Sequence, residues 1–109
     1  MDAQLRRGIL DVCVLRALTE GESYGYRIIK DVSPYVTISE STLYPILKRL
    51  EGAGCVTARS AEHNGRLRKY YSITSAGRER IAAFLAEWEE LMRTYSYIRE
   101  AKGHDEDRA

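Results

Sequence analysis

Ile38-Ser39-Glu40-Ser41-Thr42-Leu43-Tyr44-Pro45-Ile46-Leu47-Lys48-Arg49-Leu50-Glu51 is the stretch on which the architecture turns. Ser39 stands where a helix needs an N-cap, a side-chain oxygen that accepts from one of the first unpaired backbone N–H groups. Over about Glu40 to Ala53, Leu43, Ile46, Leu47 and Leu50 recur at three- and four-residue intervals and share one helical face. Ser41, Pro45 and Lys48 fall on the opposite face, with Thr42, Tyr44 and Arg49 on its flanks. Pro45 lies early enough to cost little beyond a loosened first turn. Gly54 stops the helix. The stretch predicts an amphipathic helix with a sealed side and a side rich in hydrogen-bonding groups.

Two helices precede it. Leu5 to Leu18 carries Leu5, Ile9, Leu10, Val12, Cys13, Val14, Leu15, Ala17 and Leu18, apolar most of the way round. A helix of that kind must be covered on more than one side, which in so small a chain points to a partner subunit. After the turn Thr19-Glu20-Gly21-Glu22, Ser23 is expected to cap a second helix reaching Val32, with Tyr24, Ile28 and Ile29 at core spacing. Gly25 beside them leaves room for a close neighbouring helix. Ser33-Pro34 ends the helix, because a residue before proline is disfavoured in the helical region.

Beyond Gly54 the period changes from helical to alternating. Cys55 to Arg59 reads as a strand and Arg68 to Ile73 as its returning partner. The segment between them contains Asn64-Gly65, a tight-turn signal, and Arg66, Arg68 and Lys69 make the tip basic. Tyr70 and Tyr71 must point to opposite sides of their strand, one to the core and one to the groove. Thr74 caps a last helix over about Ser75 to Ala101. Ile81, Phe84, Trp88, Leu91, Tyr95 and Ile98 alternate by three and four along it, and Leu85 and Met92 widen the stripe. At about two and a half heptads the stripe is short for a free coiled coil and suits packing against a symmetry mate.

The expected fold is therefore mainly α with a two-stranded β-hairpin: a winged helix-turn-helix over residues 1–74, a dimerisation helix over 75–101 and a flexible polar tail over 102–109. The expected dimer interface is Leu5, Ile9, Ile81, Phe84, Leu85, Trp88, Leu91, Met92 and Tyr95.

Composition narrows the function. The 109 residues are 44% hydrophobic and 30% charged, which suits one globular domain and excludes a disordered chain. The net charge of +1 hides an asymmetry: up to Thr74 there are 11 Lys/Arg against 8 Asp/Glu, and from Ser75 onward 6 against 8. The front of the chain is thus the side suited to a polyanion. No uncharged apolar run is long enough to span a bilayer, Val12 to Leu15 being one of the short ones, and no export signal is legible, so a cytoplasmic protein is expected. Cys13 and Cys55 sit in or beside apolar runs and read as buried free thiols. His63 and His104 lack partners at metal-ligand spacing, so no metal site and no cofactor are expected. No nucleophile–base arrangement or phosphate-cradling glycine loop can be assembled, and Glu87, Glu89 and Glu90 read as a solvated helix face, so no catalytic residues are assigned.

Three helices followed by a hairpin is the order of a winged helix-turn-helix. Its third helix is slim enough for the DNA major groove, where every base pair is distinguishable. The candidate DNA-binding residues are Ser39, Ser41, Thr42, Tyr44, Lys48 and Arg49 on that helix and Arg66, Arg68 and Lys69 at the hairpin, with Arg27 and Lys30 as further phosphate contacts. The competing reading of each cation is a solvated face, and the competing reading of the whole is a winged-helix protein-interaction module.

Tyr24-Gly25-Tyr26-Arg27-Ile28-Ile29, the Ile38–Glu51 stretch and Arg68-Lys69-Tyr70-Tyr71-Ser72-Ile73-Thr74 together resemble the PadR family of bacterial transcriptional regulators. The similarity runs from about Leu5 to Trp88, and the single long helix after the hairpin resembles the family's short subgroup. The resemblance implies a homodimeric repressor on a palindromic operator, double-stranded DNA as partner, and a last helix that pairs with the first and last helices of the other subunit. In multidrug-sensing relatives, aromatic residues of that helix line a pocket between subunits. Trp88 lies at the corresponding place, eleven residues after Gly77, which makes Phe84, Trp88 and Met92 the candidate site for a small-molecule effector; plain interface packing is the alternative for Trp88. The wing departs from the family pattern: Asn64-Gly65-Arg66-Leu67 replaces a glycine-rich, proline-containing stretch.

Overall fold

The computed structural model describes residues 2–108, with side chains described through Glu100. The elements are α1 (Ala3–Ala17), β1 (Ser23–Tyr24), α2 (Gly25–Val32), α3 (Glu40–Gly52), β2 (Val56–His63), β3 (Arg66–Ile73) and α4 (Ser75–Arg108). α1 begins earlier than its apolar pattern because Asp2 caps it, accepting from the Leu5 N–H at 3.2 Å. Val14 and Leu15 of α1, Ile28 of α2 and Leu43, Leu47 and Leu50 of α3 are fully buried against one another, and Cys55, Val56 and Tyr71 close the core from the sheet side.

The sheet has three strands in the order β1-β3-β2, all antiparallel, where the sequence suggested two. Ser23 does not cap α2. It pairs with Tyr71 as a strand residue, and the extended backbone of Tyr24 (φ −137°, ψ 167°) leads into the helix without a side-chain cap. Two residues are too few to show alternation, which is why β1 left no trace in the sequence pattern. The hairpin is also longer than expected. β2 and β3 pair without interruption from Val56↔Ile73 to His63↔Arg66, so only Asn64 and Gly65 form the turn. Their φ values of 51° and 78° are those of a type I′ turn, whose twist matches the flanking strands.

Ser39 heads α3, and its carbonyl accepts from the Leu43 N–H at 2.9 Å. Its hydroxyl does not cap; it lies 3.0 Å from Ser41 Oγ and 3.2 Å from Thr42 Oγ1. Gly54, at φ 77°, ends the segment. Thr74 then joins three elements at one point. Its hydroxyl donates to the Gly54 carbonyl at 2.6 Å and accepts from the Gly77 N–H at 3.1 Å, while its own N–H donates to the Cys55 carbonyl at 3.0 Å. This is the cap expected for α4. The helix itself runs to Arg108, through Gly103 and into the segment assigned to a polar tail. One glycine costs a helix about 1 kcal/mol, less than what is needed to stop an established one.

α4 packs on α1 through its first turns, Ile81 included, and then leaves the domain, so that the molecule measures 73 × 25 × 22 Å. Beyond Ile81 its apolar stripe is uncovered: Leu85 is 53% and Ile98 65% exposed, and Trp88, Leu91, Met92 and Tyr95 are exposed with them. On α1, Leu5 is exposed and Ile9 half-buried.

Gly77 is where α4 docks. A Cβ there would overlap the Cys55 carbonyl oxygen and lie 2.7 Å from Ile73 Cγ1. Neither can yield without moving the sheet. Gly77→Ala is expected to lower stability by about 1–3 kcal/mol, read from urea melts; an unchanged midpoint would show that α4 docks with slack.

Candidate nucleic-acid interface

With Leu43, Ile46, Leu47 and Leu50 turned inward, the geometry of a helix leaves Ser41, Thr42, Tyr44, Pro45 and Lys48 on the outside, all of them exposed. Ser39, Ser41 and Thr42 bring three hydroxyls together at the helix's start. Each is both donor and acceptor, so the cluster can match either sense of a base edge. Among the described residues no carboxylate lies within ion-pair distance of Lys48.

Arg49 does not join this face. Its Nη2 donates to Asp11 Oδ1 at 2.5 Å, and Arg80 Nη2 lies 3.7 Å from Asp11 Oδ2. Asp11 is 3% exposed, so its charge must be met inside the protein. Arg49 is thereby consumed in fastening α3 to α1, and Arg80 brings α4 to the same carboxylate. The sequence reading missed Asp11; the available signal was one acidic residue inside the apolar run from Ile9 to Leu15, which can be buried only with a cation beside it.

A cleft of about 410 Å³ separates α3 from the wing, lined by Tyr24, Gly25, Tyr26 and Tyr44 on one side and by His63, Asn64 and Arg66 to Lys69 on the other. Tyr44 reaches it by lying over Gly25: a Cβ at Gly25 would sit 3.0 Å from Tyr44 Cζ and overlap the hydroxyl. The close neighbour expected at Gly25 is thus a tyrosine ring from α3. On the wing, Arg66 and Lys69 are exposed and Arg68 half-buried. Arg68 lies over the Tyr24 ring at 3.9 Å, and Lys69 is 5.9 Å from the Tyr71 ring. Tyr71 is the core-facing member of its pair, and burial pushes its phenol up from the usual value, with Glu51 and Tyr44 adding to the effect. Tyr70 faces the other way, edge-on to Tyr24 at 5.8 Å and 76°, with Arg59 5.0 Å over it.

Arg59 is spent on the wing's root. It donates to both carboxylate oxygens of Glu22, at 2.7 and 2.6 Å, and this pairing holds the Glu22 carboxyl below its usual range. Arg27 of α2 lies 5.9 Å from the Tyr24 ring and Lys30 is exposed. Arg66, Arg68 and Lys69 line the wing's wall of the cleft with Tyr44 of α3 opposite, and Lys48 is exposed on the same helix, as are Arg27 and Lys30 on α2. That distribution suits a duplex, whose phosphates flank the groove being read.

The candidate effector residues stand elsewhere. Phe84 and Trp88 stack at 6.0 Å with 13° between planes, and Met92 continues the same exposed stripe. The two cysteines are free; Cys55 is buried, and half-burial of Cys13 pushes its thiol up. No helix among the described residues is long and apolar enough to cross a membrane.

The transcriptional regulator PadR-like family model matches residues 14–83. A transcriptional regulator of Mycobacterium tuberculosis is 30% identical over 91 residues, covering 83% of this chain and 85% of that protein. A PadR family transcriptional regulator from Eggerthella lenta is 33% identical with a TM-score of 0.79, covering 89% of this chain and 87% of the other. The PadR of Bacillus subtilis, solved in complex with operator DNA, is 27% identical with a TM-score of 0.66; the match covers 71% of this chain and 46% of that larger one.

Removing the carboxylate under α3 unpairs Arg49 and Arg80, whose side chains are 40% and 43% exposed and can turn to water. Asp11→Ala is expected to cost about 1.5–3 kcal/mol by chemical denaturation, the range of a hydrogen bond to a charged group. A loss under about 1 kcal/mol, the range of exposed ion pairs, would mean that Asp11 does not hold α3 in place.

Proposed function

The chain belongs to the transcriptional regulator PadR-like family, and from that premise we propose that it is a homodimeric repressor that reads a palindromic operator in double-stranded DNA. One observation carries the reading: Tyr44, from the exposed face of α3, and the wing cations Arg66, Arg68 and Lys69 line the same cleft. The operator complex of the Bacillus subtilis relative supports it. α3 enters the major groove. Ser41, Thr42 and the Tyr44 phenol offer hydrogen bonds to base edges and Ser39 orders the first two, while Lys48 supplies charge at the far end of the helix. Arg66, Arg68 and Lys69 of the wing neutralise flanking phosphates, which sets affinity and salt dependence more than sequence preference. Arg49 has no direct part, being held on Asp11.

The second copy is called for by α4. Leu85, Trp88, Leu91, Met92 and Tyr95 form an exposed apolar stripe that a partner would bury, and exposed Leu5 and half-buried Ile9 extend it on α1. A twofold pair places two copies of α3 about one DNA turn apart, roughly 34 Å. α4 thereby sets the separation of the reading heads. A planar aromatic effector beside Phe84, Trp88 and Met92 would release DNA only by binding the DNA-free spacing more tightly.

Lys48→Ala and Arg66→Ala are each expected to weaken binding to an operator selected from a random DNA pool, Lys48→Ala by about 1–3 kcal/mol. Sedimentation should show an intact dimer in both, and wild-type affinity in both would reject the assigned roles. Trp88→Ala is expected to weaken the dimer by about 2 kcal/mol or more, as at a buried aromatic anchor. A wild-type protein that sediments as a monomer at micromolar concentration would remove the twofold geometry altogether.

A further inference from the structure

The wing reaches away from the domain, yet its three outward cations are not held alike. β3 alternates, so Arg66, Arg68 and Tyr70 share one face of the sheet. Tyr24 lies directly across from Tyr70. Arg68 therefore takes the diagonal position to Tyr24, within reach of a long side chain. Its guanidinium is 3.9 Å from the Tyr24 ring centroid, while Arg27 stands at 5.9 Å and Tyr70 closes the ring's edge. Arg66, two residues further out, lies in no such stack among the described residues and is exposed where Arg68 is half-buried.

The contrast with Arg59 shows what the stack is for. Arg59 also lies over a ring, that of Tyr70, but its Nε and Nη2 donate to Glu22 and its charge is spent within the protein. No carboxylate among the described residues lies within ion-pair distance of Arg68. A guanidinium stacked on a ring keeps its N–H groups pointing outward in its own plane, alongside the ring, as a fork that matches a phosphate. Stacked and unpaired, Arg68 is oriented before any ligand arrives, so little side-chain freedom remains to be lost on binding.

We infer that Tyr24 is a positioning residue for DNA binding: its ring holds the Arg68 guanidinium in the pose that takes one backbone phosphate per subunit. The two-residue strand β1 then has a role beyond completing the sheet, because it places that ring under the wing. The inference rests on the DNA-binding reading above and assigns the phosphate contact at Arg68 to a pair of side chains rather than to one.

The test measures affinity for a fixed random-sequence duplex, long enough for both half-sites, across a salt series. Tyr24→Leu removes the ring's face and should weaken binding about three- to tenfold. It should also lower the slope of log K against log salt by about 0.9 per subunit, the value for one lost phosphate. Tyr24→Phe keeps the face and should match wild type. Combined with Arg68→Ala, Tyr24→Leu should add nothing further; combined with Arg66→Ala, the two losses should multiply. A ring that merely stiffened the whole wing would couple to both arginines alike, and that result overturns the inference. Should Tyr24→Leu fail to fold, Arg68→Lys keeps the charge and the native ring; a slope equal to wild type there would overturn the inference as well. A wild-type protein that binds no duplex even at low salt overturns the DNA-binding reading and this inference with it. Normal wild-type binding with an unchanged slope in Tyr24→Leu overturns the inference alone.

Discussion

α3 can offer Ser41, Thr42, Tyr44 and Lys48 to a partner only because its other face is sealed. Leu43, Leu47 and Leu50 are fully buried and Ile46 nearly so, against α1, α2 and the root of the sheet. A helix held by an apolar stripe alone can still rotate a little about its axis at small cost. Asp11 removes that freedom. A carboxylate taken out of water needs its cation, and Arg49 is the cation that α3 supplies. The register of the outward face therefore follows from an inward ion pair, and because Arg80 approaches the same carboxylate, α4 is referred to the same point.

The wing obeys a second constraint. A two-stranded ribbon eight residues long has little stability of its own. Its root is joined to the domain by β1, by the two bonds of Arg59 to Glu22 and by Thr74, which gathers the ends of α3 and β3 at the start of α4. These contacts use the cations and hydroxyls nearest the body. The cations further out keep their charge facing away from the protein. Position along the wing thus separates groups that hold the fold from groups in no ion pair among the described residues. The same division appears on α3, where Arg49 is held and its neighbour Lys48 is outward.

α4 shows the opposite case, an element whose apolar stripe is not covered by its own chain among the described residues. Its first turns are anchored by Gly77, Thr74 and Ile81, and its remainder carries more apolar surface than a lone helix keeps in water without cost.

The order of helices, the amphipathic face of α3, the Asn64-Gly65 turn, the Thr74 cap and the long final helix were legible in the chain because each is a local matter: spacing, capping chemistry and backbone preference act within a few residues. Motif resemblance extended that reading to family. Tertiary structure alone decided the rest. It made Ser23 and Tyr24 a strand, since their pairing partners Tyr71 and Tyr70 lie nearly fifty residues away. It took Arg49 out of the outward face, since Asp11 of α1 needed a cation, and it gave Arg68 a ring to lie on. A side chain's neighbours within a helix or strand follow from the period of that element, whereas a buried charge or a stacked guanidinium depends on which distant element the packed core brings within reach.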